Sequence, residues 1–150
     1  MKNMMKFKYV FSFAPVLAAF AFITIWNQES VVQQQDLPAK ARDYISTHFP
    51  GQSVAKVEQE KNIFSTSFEA LLADSTELEF TKEGAINSVE APGKLPDSVV
   101  PAKILDYVNA NYGGFDVNGW EVEKKHQEID LANGTELEFD LDGNFVRVEE

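Results

Sequence analysis

The sequence contains no cysteine among its 150 residues. Disulfide bonds, thiol catalysis, and zinc or iron–sulfur sites with cysteine ligands are therefore excluded. A lipid anchor attached through cysteine is excluded for the same reason.

Basic residues are scarce. The chain has 13 Lys and Arg against 24 Asp and Glu, which gives a formal net charge of −11. Nucleic-acid binding depends on clustered Lys and Arg that displace counterions from phosphates, so this composition argues against a nucleic-acid partner. The length fits one domain of ordinary size, or two small units that share a core.

A basic and then apolar segment begins the chain. Lys2, Lys6 and Lys8 precede an apolar run from Tyr9 to Trp26, after which the sequence becomes polar. This order is typical of an export signal, and the run is also long enough to span a bilayer once. We therefore expect residues 1–30 to be a cleaved signal peptide or a retained membrane anchor. Lysines on the starting side place the rest of the chain outside the cytoplasm, in the periplasm or secreted.

Two segments of the remaining chain recur in the same order. Leu37 to Ile45 (LPAKARDYI) resembles Val100 to Val108 (VPAKILDYV), and Thr76 to Phe80 (TELEF) is repeated identically at Thr135 to Phe139. Recurrence of this kind indicates a duplicated unit. We predict a polar tether at residues 31–36, a first repeat at 37–91 and a second at 92–150, with both repeats forming one structural domain.

Each repeat is predicted to be a helix followed by strands. Apolar residues follow a helical period from Ala41 to Phe49 and from Ile104 to Tyr112. Alternating apolar residues then predict strands, beginning with Phe64 to Leu72, while Asn133-Gly134 and Asp142-Gly143 predict two-residue hairpin turns. The expected fold class is α+β: two tandem repeats of a helix and an antiparallel meander, with the helices packed on one face of the sheet.

Acidic residues alternate with the apolar ones on the predicted strands, and so we expect them on the outward face of the sheet. They are Glu77, Glu79, Glu136, Glu138 and Asp140 on the TELEF strands and Glu121, Glu123, Glu128 and Asp130 on the neighbouring strands. Like charges across a ladder destabilise a sheet, and a basic partner or a divalent cation would compensate them. The favoured interpretation of the array by itself is a solvated face that serves only solubility, with Lys124, Lys125 and Arg147 relieving the repulsion.

Trp120 begins a strand in the second repeat and has no aromatic counterpart in the first. It is either a core residue or an exposed contact for a partner. The candidate partner-binding residues are therefore Glu77, Glu79, Glu121, Glu123, Glu136, Glu138 and Trp120.

The sequence contains little evidence for a metal site or a catalytic site. His48 and His126 occupy non-equivalent positions of the two repeats, and we expect neither to bind a metal or to catalyse a reaction. The run Asp140 to Asn144 (DLDGN) has its glycine two positions too early for an EF-hand, which favours a hairpin turn over a calcium loop. The sequence has no nucleophile elbow or phosphate loop. We predict no catalytic residue, no cofactor and no metal site.

Several of these motifs occur together in one known family. The Leu37-Pro38 pair, Asp-Tyr-Ile or Asp-Tyr-Val in each helix, the Phe-Pro-Gly helix end at 49–51, and Glu-Leu-Glu-Phe strands followed by a glycine turn resemble the PepSY-like family. That family is typical of exported Bacteroidetes proteins and is described as similar to the beta-lactamase inhibitor protein. The resemblance covers residues 37–150 and implies a duplicated helix-plus-sheet fold, an extracytoplasmic location and no enzymatic activity. The lipid-modified cysteine frequent in such proteins is absent here.

The expected function is a non-enzymatic, extracytoplasmic module that binds a protein or peptide of the cell envelope, in an inhibitory or regulatory role, through the exposed face of its sheet. Membrane contact is expected only through an N-terminal anchor at residues 9–26. An acidic envelope protein that binds divalent cations is the alternative, and a hydrolase with paired carboxylates ranks last.

Overall fold

The structure, a computed structural model, describes residues 28–149 and contains two helices and nine strands in that range. The helices are α1 (Ala39–His48) and α2 (Ala102–Tyr112). The strands are β1 (Gln28–Val32), β2 (Val54–Lys61), β3 (Thr66–Leu72), β4 (Glu77–Thr81), β5 (Ile86–Glu90), β6 (Val117–Val122), β7 (His126–Leu131), β8 (Glu136–Asp140) and β9 (Phe145–Glu149). One turn of 3-10 helix (Gln34–Asp36) lies between β1 and α1.

All nine strands form one antiparallel sheet and lie side by side in chain order. Although α2 intervenes in sequence between β5 and β6, these two strands pair directly, with Val89 opposite Trp120. The sheet is therefore continuous across the junction of the two predicted repeats. The α+β class predicted from the sequence is confirmed, with nine antiparallel strands and two helices.

From α1 onwards, after β1 and the 3-10 turn, the two halves of the described chain have the same element order, a helix followed by four strands. β-Bulges interrupt β2 and β6 at corresponding positions, and also β5 and β9, where Asn87 and Val146 are the extra residues. Gly84 before β5 and Gly143 before β9 both have a positive φ, of 81° and 77°. A Cβ atom at Gly84 would lie 2.8–2.9 Å from atoms at the start of α1, whereas one at Gly143 would make ordinary contacts of 3.4–3.5 Å with α2.

The core lies between the two helices and one face of the sheet. Tyr44 of α1 meets Phe80 of β4 edge to face, with ring centroids 5.9 Å apart, and Tyr107 of α2 meets Phe139 of β8 likewise at 5.5 Å. Both phenylalanines are fully buried, and each contributes about 1.5–3 kcal/mol by leaving water. Since Phe80 and Phe139 point to the same side, both helices cover one face, and no described element covers the other.

The polar tether predicted at residues 31–36 is instead partly ordered as secondary structure. Residues 31–36 contain the end of β1 and the 3-10 turn, and Val32 lies opposite Val57 of β2. β-Branched residues favour strands, so the Val31-Val32 pair extends the sheet by one strand despite the glutamines around it. The predicted signal peptide or anchor at residues 9–26 lies outside the described residues. Within residues 28–149, neither helix is long and apolar enough to cross a membrane.

The predicted start of a strand at Phe64 is wrong. Phe64 lies in the turn between β2 and β3 and is 90% exposed. The Asn62 side chain closes this turn, because its Oδ1 accepts hydrogen bonds of 2.8 Å from the backbone N–H groups of Phe64 and Ser65. The alternation that places side chains in the core begins only at Thr66.

Candidate functional site: an acidic sheet face

The sheet face away from the helices, called here the open face, carries carboxylates from most strands. They occupy the positions that alternate with buried residues such as Leu78 and Phe80. Its carboxylates on β2 to β5 are those of Glu58, Glu60, Glu69, Glu77, Glu79 and Glu90. Those on β6 to β9 are Glu121, Glu128, Asp130, Glu136, Glu138, Asp140 and Glu149.

The strand register brings many of these acids directly opposite one another. One line of cross-strand neighbours, called here the central row, consists of Glu58, Glu69, Glu79, Ser88, Glu121, Glu128, Glu138 and Arg147. Each like-charged neighbour pair costs the sheet about 0.2–1 kcal/mol. The predicted acidic array on one face is therefore real, and it extends across both halves of the sheet.

Most of the predicted partner-binding residues lie together. Glu77, Glu79, Glu121, Glu136 and Glu138 are on the open face. Glu123 directly follows β6 and stands at the margin of that face, beside the β6–β7 turn. Trp120 is not part of this group.

Trp120 lies on the helix-covered side, where it is 8% exposed. Its neighbours across the sheet are Val89 and Ile129, both fully buried. Its indole Nε1 donates a hydrogen bond of 3.2 Å to Gln127 Oε1, and Gln127 Nε2 donates to the backbone oxygen of Asp140 at 3.1 Å. Of the two roles considered for Trp120, core packing is the one that the structure supports.

Sequence reasoning missed the acids of β2, β3 and β5: Glu58, Glu60, Glu69 and Glu90. Glu69 could have been found, because it lies between the inward-facing Phe68 and Ala70. The outward position of Glu58 and Glu60 was harder to predict, because Val57 is the single buried residue of β2 and the strand has no alternating apolar pattern.

Glu69 is the most perturbed acid of the first half. Burial, followed by the charges of Glu77, Glu58, Glu29 and Glu79, raises its pKa from an ordinary 4.5 to about 7. Its Oε1 atom is buried and has no hydrogen-bond partner among the described residues. Ionised Glu69 is therefore poorly stabilised by its own protein.

Other acids of the open face are perturbed in the same direction. Burial and then the neighbouring charges, Glu123 and Glu128 foremost, raise the pKa of Glu121 to about 7, although this residue is more exposed than Glu69. Burial also raises the pKa of Glu77, Glu79 and Glu90, with a further contribution from other acids in the last two cases. The face therefore favours proton uptake near neutral pH.

Basic groups compensate part of this charge, chiefly at the ends of the central row. Arg147 of β9 contacts both Glu138, which is 8% exposed, and Glu149. Lys56 Nζ lies 2.6 Å from Glu58 Oε1 at the other end. Between them, the stretch from Glu69 to Glu121 contains three acids and Ser88 but no basic residue.

A histidine joins the acids at the β6–β7 turn. His126 Nε2 lies 2.9 Å from Glu128 Oε1 and 3.9 Å from Glu123 Oε2. From the sequence we expect no metal or catalytic role for His126. Its proximity to Glu128 could have been predicted, because Glu128 follows two positions later on the same strand and therefore points to the same face.

A shallow cavity of about 280 Å³ opens on the face beside Gly119, and carboxylates of Glu90, Asp130 and Glu136 line it. The absent side chain of Gly119 leaves this space, since a Cβ there would lie 2.5 Å from Asp130 Oδ2.

The DLDGN run at residues 140–144 is a hairpin turn, as predicted. Asp140 Oδ1 accepts hydrogen bonds from the backbone N–H groups of Asp142 and Asn144 at 3.0 and 2.8 Å.

This architecture matches a known family. The sequence model of the family described as "Putative beta-lactamase-inhibitor-like, PepSY-like" matches residues 19–69 and again residues 66–147. The chain belongs to the PepSY-like family. The resemblance inferred from the Leu-Pro, Asp-Tyr and Glu-Leu-Glu-Phe motifs is thereby confirmed.

Solved structures of similar PepSY-like architecture come from Bacteroides. One, from Bacteroides thetaiotaomicron, is described as a "putative calcium-regulated periplasmic protein"; it is 31% identical, covers 81% of this chain and 97% of its own, and has a TM-score of 0.78. Two from Bacteroides vulgatus are described as putative periplasmic proteins, one of them of unknown function. They are 32% and 33% identical, cover 81% and 82% of this chain and 97% and 100% of their own, and have TM-scores of 0.77. No curated protein matches the chain.

Proposed function

We propose that this PepSY-like protein is a non-enzymatic periplasmic module that binds a basic protein or peptide across its open face. One observation carries the proposal. The open face presents in-register carboxylates over both halves of the sheet, and no described element covers it. The export-like N-terminal segment and the periplasmic description of similar structures support the location.

The dimensions of the open face suit a macromolecule. Nine strands at about 4.8 Å spacing and about five residues long give a surface of roughly 40 by 17 Å. This area, roughly 700 Å², is close to the roughly 800 Å² that each partner buries in a standard interface. The described cavities are shallow, which disfavours a small organic ligand held by enclosure.

Charge explains why such a partner would bind. Glu69 faces Glu58 and Glu29 from the strands on one side and Glu77 and Glu79 from the other. A basic side chain placed over this group relieves the repulsion and returns the pKa of Glu69 towards its ordinary value. Binding near pH 7 should therefore release protons, and affinity should fall as salt rises.

A short lysine-rich peptide is a suitable probe. Titration followed by amide NMR shifts should perturb β3, β4, β7 and β8 more than the helices, and Glu58→Gln with Glu79→Gln should weaken binding severalfold. Glu83→Gln, in the exposed turn before β5, and Asp106→Asn, on the exposed side of α2, are the controls. Equal weakening by both pairs of substitutions would show that net charge, and not the open face, attracts the peptide.

Calcium is the second candidate ligand, and two observations favour it. A structure 31% identical to this chain is described as putatively calcium-regulated. Carboxylates of Glu90, Asp130 and Glu136 line the cavity beside Gly119, and calcium prefers such oxygen ligands. Calorimetry should give a calcium-binding signal that Asp130→Asn and Glu136→Gln abolish while Glu83→Gln preserves it. Absence of heat at about millimolar calcium would remove this candidate.

We further propose that the two halves arose by duplication and that the N-terminal segment directs export. The recurring TELEF strands, the matching bulges and the two successive matches of the family model support the duplication. Amino-terminal sequencing of the protein from the cell envelope tests the export step. A mature chain that lacks the N-terminal basic and apolar residues indicates cleavage, and an intact start indicates a retained anchor.

A further inference from the structure

We propose that Glu123, His126 and Glu128 form a binding site for a divalent transition-metal ion, Zn²⁺ being the first to test. The site stands on the geometry of the β6–β7 hairpin and does not depend on the partner proposed above. It is also separate from the calcium candidate, whose cavity lies beside Gly119 and contains no histidine.

The hairpin fixes where the three ligands stand. Val122 pairs with Gln127, and the backbone N–H of Glu123 donates a hydrogen bond of 2.9 Å to the oxygen of His126, which closes a tight turn. His126 and Glu128 are two residues apart on β7 and so share the open face. Glu123 stands directly across the turn from them.

Both carboxylates converge on the same ring nitrogen. Glu128 Oε1 is 2.9 Å and Glu123 Oε2 is 3.9 Å from His126 Nε2, and the three ligand atoms lie within 4.8 Å of one another. A simple histidine–carboxylate pair requires only one carboxylate, whereas two are present here. Ligands of a zinc ion at about 2.0–2.2 Å stand roughly 3–3.5 Å apart, so small side-chain rotations bring this set around one ion.

The donor set selects the kind of metal. Imidazole nitrogen favours Zn²⁺, Cu²⁺ and Ni²⁺ over Ca²⁺ and Mg²⁺, which prefer oxygen ligands alone. The side chains of His126 and Glu128 are about a quarter exposed (25% and 26%), and that of Glu123 is 51% exposed. An ion can therefore enter from solvent and keep water in its remaining coordination positions.

The first half of the sheet provides an internal comparison. The β2–β3 hairpin carries Glu60 and Glu69 at the positions that correspond to Glu123 and Glu128. Ser67 replaces the histidine there. The acids thus belong to the shared scaffold, whereas the nitrogen ligand is specific to the second hairpin.

The experiment is a Zn²⁺ titration of the purified protein by calorimetry, with imidazole NMR resonances as a second readout. The wild type should bind one ion with selective shifts of the His126 ring, and excess calcium should not displace it. His126→Gln should weaken binding by about tenfold or more, and Glu123→Gln should weaken it to a smaller degree. His48→Gln and Glu79→Gln are controls that keep the hairpin intact.

Unfolding midpoints of all variants, measured without metal, separate loss of a ligand from loss of the fold. The proposal is overturned if the wild type binds no Zn²⁺ at about 1 mM. It is equally overturned if His126→Gln binds as tightly as the wild type, or if Glu79→Gln weakens binding as much as His126→Gln does. The last result would mean that zinc is held diffusely by the acidic face.

Discussion

Removing the charge of Glu69 should stabilise the protein, and the gain should depend on pH. Burial and four acidic neighbours hold the pKa of Glu69 at about 7 in the folded protein, against an ordinary 4.5. Between these values the folded chain binds more protons than the unfolded chain does. The contribution of Glu69 to stability is therefore complete below about pH 4.5 and is lost as pH rises through about 7.

The size of the effect follows from this difference. The difference between a pKa of about 7 and one of 4.5 corresponds to about 3 kcal/mol if the site is fully shielded from water. Glu69 is only half buried, and solvent screening reduces the value to about 1–2 kcal/mol. Glu69→Gln should thus raise the free energy of unfolding by about 1–2 kcal/mol at pH 8 and by much less at pH 5.

Urea denaturation at the two pH values measures this directly, with Glu83→Gln as a control because Glu83 lies in an exposed turn away from the open face. A neutral or destabilising effect of Glu69→Gln at pH 8 would refute the predicted charge effect. An equal gain at pH 5 and pH 8 would refute it as well, because packing rather than charge would then be responsible.

Four further substitutions test the packing, each by its effect on the urea unfolding midpoint. Gly84→Ala should cost about 2–4 kcal/mol, because the residue has a positive φ and its new Cβ would lie 2.8 and 2.9 Å from atoms of the α1 segment. Gly143→Ala should cost about 1–2 kcal/mol, because its φ is also positive but its new Cβ would make only ordinary contacts. Equal costs would contradict the closer approach of the Gly84 turn to its helix. Gln127→Leu should cost about 1–2 kcal/mol, since the buried indole N–H of Trp120 loses its acceptor, and a stabilising result would show that this hydrogen bond matters little. Phe64→Ser should change stability by less than about 0.5 kcal/mol, and a larger loss would mean that this exposed ring packs against the fold.

Much of the fold could be predicted because local signals agreed with the final packing. Leu78 and Phe80 alternate with acids and are buried, and the glycines at 134 and 143 adopt the positive φ that their hairpin turns need. β1 could not be predicted, because glutamines surround Val31 and Val32 and the strand forms only by pairing with β2. The strand start predicted at Phe64 was wrong for the opposite reason: the backbone N–H of Phe64 donates a hydrogen bond to Asn62 Oδ1, and the resulting turn ends the alternation locally.

The sequence predicted several of the acids that lie on the open face, but it did not predict which residues each acid contacts. Alternation placed Glu79 and Glu138 on the outward face. Their environments differ, because Arg147 lies across from Glu138 and contacts it, whereas the cross-strand neighbours of Glu79 are Glu69 and the uncharged Ser88. Which acids face each other depends on strand register and bulges, and these are set by tertiary contacts rather than by local sequence.

The central claim is that the open face is the surface that meets a partner. Ser88 offers the most direct test, because it is the uncharged position at the middle of the central row. A photo-crosslinking amino acid at Ser88, in protein expressed in its native cell envelope, should yield a discrete adduct, and the same group at Asp106 on the exposed side of α2 should not. An adduct from Asp106 alone, or the same adducts from both positions, would contradict the account.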